Sequence, residues 1–130
     1  MKAKRFVELP VPGSGYGDIR ILFNENDILA EFEYRLTGVD WIGCIHFSNV
    51  VAFRFRDELR SAGFCLESYG AVVQMEESDW ISQLKHGEPP NKKFLDTGKH
   101  YAVFFSNNGY FEVIAEGIQL QAPRTGLLNQ

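Results

Sequence analysis

Cysteine is scarce: only Cys44 and Cys65 occur among the 130 residues. Two thiols in a chain that is 45% apolar do not form a disulfide framework, so both are read as reduced and the expected compartment is the cytoplasm. Long hydrophobic runs are missing too. The unbroken apolar stretches reach only a few residues, as at 101–105, against the roughly 20 that cross a bilayer, so no membrane partner is expected. The opening MKAKRFVELPVPGSG begins basic, but Glu8, Pro10 and Pro12 interrupt it before the apolar core that a secretory signal requires. Positive charge is in deficit: 13 Lys and Arg against 17 Asp and Glu give a net charge of -4 and a pI near 5.3, which argues against nucleic acid as a partner.

Motifs with a built-in chemistry are equally few. No nucleophile, base and orienting acid stand at a spacing that a reaction requires, so no catalytic residue is assigned; a binding role is expected ahead of an enzymatic one, which would rest on His100, Glu112 and Glu116 alone. Gly13-Ser14-Gly15-Tyr16-Gly17 looks superficially like a phosphate loop, but Asp18 and a strand follow it rather than a helix carrying Lys and Ser or Thr. Cys44 and His46 share a strand face, yet two ligands do not make a metal site. No metal and no other cofactor is implied. Arg54 and Arg56 interleave with Phe53 and Phe55 as in sheets that stack on unpaired bases; arginines paired with acids on a neighbouring strand explain the pattern equally well.

What the chain does have is aromatic mass. Aromatics make up 14% of the residues, eleven of them Phe, enough for a packed core in one domain. The expected domain covers 1–121, with 122–130 as a flexible C-terminal tail. Period-two alternation predicts a short strand over 6–12, a hairpin of 19–23 and 28–36 around Asn24-Glu25-Asn26-Asp27, and a long β region over 41–55 whose phase changes at Ser48-Asn49. A brief helical turn over 56–62, closed by Gly63, and a strand over 71–75 follow. The period then shifts to about 3.6: Ser78 caps a short helix near 78–86 whose stripe is Trp80, Ile81 and Leu84. A final hairpin turns at Asn107-Asn108-Gly109. The expected fold class is α+β, predominantly antiparallel β, a strongly curved sheet or open barrel whose concave face meets the helix.

Three segments, FRFRDE at 53–58, ESDWISQL at 77–84 and HYAVFF…FEVIAE at 100–116, together resemble a loose group of small uncharacterised bacterial single-domain proteins. The resemblance implies antitoxin or immunity partners for some members and carries no catalytic assignment. The residues themselves suggest a buried polar cluster or ligand site at His100, Glu112 and Arg54, with Glu116 on the same strand. Glu31, Glu33, Glu76, Glu77 and Asp79 are the acids expected to face a protein partner. A non-enzymatic binding protein of immunity or antitoxin type is the expected function. The alternative is a barrel-like domain holding a small apolar ligand. The oligomeric state is left open.

Overall fold

The structure, a computed structural model, describes residues 2–10, 16–56, 70–89, 91–105 and 109–129. Among the described residues seven antiparallel strands form one sheet: β1 (Lys2–Glu8), β2 (Tyr16–Asn24), β3 (Asp27–Leu36), β4 (Val39–Arg56), β5 (Ala71–Glu76), β6 (Lys99–Phe105) and β7 (Gly109–Thr125). Their spatial order is β1-β5-β6-β7-β4-β3-β2. One α-helix among the described residues, α1 (Asp79–Lys85), and a 3-10 turn (Lys92–Phe94) connect β5 to β6. The α+β class and the antiparallel pattern hold. Among the described residues the sheet stays open, because β1 and β2 are its two outer strands and do not pair with each other.

The rings of Phe32 on β3 and Phe105 on β6 lie 5.6 Å apart, although β4 and β7 separate their strands. In a flat sheet those strands would be about 14 Å apart. The sheet therefore curls tightly around this face. Phe32, Phe47, Tyr101, Phe105 and Phe111 fill the concavity, all essentially inaccessible to water. Burying each aromatic ring stabilises the fold by about 2–3 kcal/mol before the cost of ordering it. Gly43 sits opposite Phe32 in the ladder, and a Cβ there would overlap the Phe32 ring. The missing side chain is what lets the ring lie flat across its neighbour.

Side chains alternate between faces, so Ile114 points away from Val113 and Ala115 and onto the convex side. There Trp80, Ile81 and Leu84 of α1 cover it together with Val51 and Leu95. The expected apolar stripe is thus the buried stripe, but the expected face is corrected: the helix packs on the convex side, because the aromatic rings already fill the concave one.

The phase change at Ser48-Asn49 is a bulge within a continuous strand. Asn49 takes φ 51°, and the register of β4 against β7 slips between Val50 and Ala52. The slip sends Val51 to the helix side and leaves Phe53 and Phe55 beside Phe111 on the other. β3 stops sooner, its last pairs being Ile28↔Phe47 and Leu36↔Val39. Residues 51–56 consequently have β7 on one side and no described strand on the other.

Two boundaries differ from the sequence reading. β1 starts at Lys2 and ends at Glu8, pairing with β5. At the far end, Ala122, Pro123, Arg124 and Thr125 extend β7 rather than begin a tail: Trp41 pairs with Thr125, Arg124 reaches Glu31 at 2.9 Å, and the Leu128 amide donates to Glu33 at 2.7 Å. The glycine loop at 13–15, the turn over 57–62 with Gly63, Cys65 and Asn107-Asn108 lie outside the described residues. No helix among the described residues is long and apolar enough to cross a membrane.

Candidate functional site

The sequence pointed to His100, Glu112 and Arg54, and the structure brings all three together on the convex face. β6 and β7 place His100 diagonally across from Glu112, both fully buried, with Nε2 of His100 2.7 Å from Oε1 of Glu112. From β4, Arg54 faces Glu112 directly and reaches it through Nε at 3.2 Å and Nη2 at 3.3 Å. Arg56, two residues on and on the same face, also bonds Glu112. Burial raises the pKa of Glu112, but the hydrogen bonds from His100 and Arg54 and the charges of Arg54 and Arg56 outweigh it and bring it down to about 2.

Ser78 completes the chain. Its Oγ lies 2.7 Å from Nδ1 of His100 and accepts the Ile81 amide at 3.2 Å, capping α1. An ionised Glu112 can only accept, so Nε2 of His100 carries the proton and donates it. In the neutral ring Nδ1 then accepts from the Ser78 hydroxyl, whose oxygen remains free to accept the Ile81 amide. Every donor in this line has an acceptor. The Arg54 guanidinium lies 4.0 Å above the Trp80 ring, and Trp80 in turn meets His100 edge-on at 5.2 Å.

Serine, imidazole and carboxylate in sequence are also the connectivity of a nucleophilic triad, and a cleft of about 480 Å³ opens beside them, bordered by Ser78, His100, Glu76, Glu77 and Lys99. The electrostatics run the other way. A triad acid stabilises the imidazolium formed during the reaction, whereas the charge of Glu112 is already met by two guanidiniums. Ser78 is committed as a helix cap, and His100 is fully buried. The arrangement fastens the helix to the sheet.

The acids expected at a partner surface divide. Glu76, Glu77 and Asp79 are exposed around the start of α1. Glu31 corrects the expectation: it is 5% exposed, clamped by Arg20 at 2.6 Å and Arg124 at 2.9 Å. Burial raises its pKa, and the two arginines more than reverse that. Glu33 is half-buried and accepts the amides of Asp18 and Leu128, tying the C-terminal segment down. Both lie on a strand flanked by partners, which alternation along β3 alone did not reveal. Glu116 does not join His100; it accepts from Asn49 at 2.6 Å and from Thr97. His46 bonds Asp27 at 2.8 Å rather than acting with Cys44, whose thiol pKa burial pushes up. Among the described residues no three His, Cys, Asp or Glu side chains gather as metal ligands would.

A second feature escaped the sequence reading. Phe23, Phe53 and Phe55 stand 62%, 44% and 45% exposed at one end of the concave face, above buried Phe111. The rings of Phe23 and Phe53 meet at 5.2 Å. Beside them a largely apolar pocket of about 370 Å³ opens between the β2–β3 turn and the β4 bulge, floored by Ile28 and Val50 and edged by Glu25, Asp27 and Asn91. The signal in the sequence was Phe23 abutting a polar turn, together with the Phe-Arg alternation at 53–56. That alternation separates by face: the arginines clamp Glu112, and the phenylalanines form the rim.

No known protein family model, no curated protein and no solved structure matches this chain.

Proposed function

We propose that this protein is a non-enzymatic binding protein that engages another protein, in the manner of an immunity or antitoxin partner. One contrast supports the reading most directly: the polar cluster that could have carried chemistry is closed upon itself, while three large aromatic rings remain exposed at the open end of the curled sheet. Exposed aromatic clusters of this kind supply the anchors of protein interfaces. Glu76, Glu77 and Asp79, with the chain's net charge of -4, favour encounter with a basic partner.

The test is affinity capture from the native host, run in parallel with wild type, Phe53→Ser and Glu76→Lys/Glu77→Lys. The reading requires a captured protein that Phe53→Ser loses and whose association the double reversal slows more at low salt than at high salt. It is overturned if wild type and Phe53→Ser capture the same proteins equally. Labelling of Ser78 by a fluorophosphonate, with loss of an esterase turnover in Ser78→Ala, would replace it with an enzymatic reading.

A further inference from the structure

We infer that the pocket between the β2–β3 turn and the β4 bulge binds a small primary amine, with the apolar body of the ligand packed against Phe23 and Phe53 and its ammonium at Glu25. The inference does not rest on the protein-binding reading. At about 370 Å³ the pocket falls within the ~300–1,000 Å³ of ordinary small-ligand sites. Its walls come from three parts of the chain that are tied together. The Val50 amide donates to Asn26 O at 2.7 Å, and Val50 O accepts from the Asn91 side chain at 3.0 Å, so turn, bulge and the start of the 3-10 segment share one floor residue. Phe53 is held by Phe23 at 5.2 Å and by buried Phe111 at 6.3 Å. Walls fixed in this way need little ordering when a ligand enters.

The lining selects the class of ligand. Phe23, Ile28, Val50, Ala52 and Phe53 make most of it apolar, so an occupant needs an apolar body. The side-chain groups left at the edge are acceptors. Asn91 has spent an N–H on Val50 O and keeps its carbonyl oxygen, while Asp27 has both oxygens bonded, by His46 and by the Asn49 amide. Glu25 has no hydrogen bond or ion pair with any described residue, and no lysine or arginine among them lines the pocket. The two lysines after Asn91 are engaged elsewhere, Lys92 with Glu88 and Gly87 O and Lys93 over the Phe94 ring. A carboxylate beside aromatic rings draws a cation both by its charge and by the ring faces, and an ammonium brings three donors to a lip that offers acceptors. The backbone agrees with this assignment. Glu25 takes φ 56°, a left-handed conformation in which glycine is at ease and glutamate is strained, so the turn carries a conformational cost to hold a carboxylate at the pocket edge.

The experiment titrates the full chain with 2-phenylethylamine and follows amide chemical shifts by NMR. Saturable shifts are expected at 23–28 and 50–53. The alcohol 2-phenylethanol keeps the body and loses the charge, and should bind about tenfold more weakly, with 3-phenylpropionate weaker still. The methyl amide of Nα-acetyl-lysine carries the charge without the ring and should also bind about tenfold more weakly. Glu25→Gln should abolish the preference for amine over alcohol. Glu25→Gly, which suits the turn, should abolish it too while melting no lower than wild type, so that misfolding does not account for the loss. Absence of saturable binding by the amine, equal affinity for amine and alcohol, shifts centred elsewhere, or an unchanged preference in Glu25→Gln overturns the inference. Equal binding of the lysine derivative would give the pocket to a side chain of a partner protein and overturns it as well. Unaltered protein capture by Phe53→Ser counts against the protein-binding reading alone and leaves this inference standing.

Discussion

His100 and Glu112 are joined by a 2.7 Å hydrogen bond in a place where neither has any exposed surface. Such a pair is stable only when both are fully partnered, and here they are: Ser78 on one flank, Arg54 and Arg56 on the other. The line runs from the cap of α1 through β6 and β7 to β4. It joins the helix to the middle of the sheet by polar contacts, alongside the apolar contact of Trp80, Ile81 and Leu84.

Glu112→Gln removes the charge and keeps the shape. Two guanidiniums then lose their anion, although both are about one-third exposed and recover some hydration. Losing one member of a buried pair costs about 3–5 kcal/mol, and the partial exposure places this variant near 3. Urea unfolding should show the midpoint falling at unchanged slope. A loss under 1 kcal/mol would mean that the cluster does not hold the fold together.

Much of this architecture was legible in the sequence, and the exceptions share a cause. Alternation in 28–36 and the 3.6 period after Ser78 marked β3 and α1, because one face of each is apolar and the other is not. The apolar setting of Glu112, an acid that needs a fixed partner there, also put His100, Glu112 and Arg54 forward as a cluster. It could not show that Ser78 lies against His100, because that contact joins residues 22 apart through the packing of α1 on the sheet. Nor could it show Glu31 buried: an acid on an outward face reads as solvated until Arg20 and Arg124 arrive from two other strands. Ala122 to Thr125 read as a tail because Pro123 interrupts the pattern, yet β4 is long enough to pair with them.

Acid should expose the same cluster by another route. Glu112 has an ordinary pKa of 4.5 and is brought to about 2 in the folded protein. The folded value is the lower one, so its stabilisation is fully present above pH 4.5 and is lost as the pH falls toward 2. A shift of this size corresponds to ~3 kcal/mol. Denaturant midpoints measured from pH 6 down to 2 should fall steeply below pH 4.5, and the part of that slope owed to Glu112 should vanish in Glu112→Gln. An identical pH profile in the variant would remove this residue as the source.

Gly43→Ala probes the concave side. Gly43 faces Phe32 across the β3–β4 ladder, and the added methyl would occupy space that the Phe32 ring now fills. Phe32 is fully buried and packs on Phe105, so it has little freedom to turn away. Overpacking of this kind costs about 1–3 kcal/mol. In an exposed strand the same substitution would be neutral or mildly stabilising, since alanine loses less backbone entropy on folding than glycine. The direction is therefore diagnostic: a lower melting temperature for Gly43→Ala, restored in part by Phe32→Leu in the same chain, would establish that the curl of the sheet depends on this ring lying across a bare backbone. A variant as stable as wild type would mean that the ring is free to move and that the concave core is looser than its burial implies.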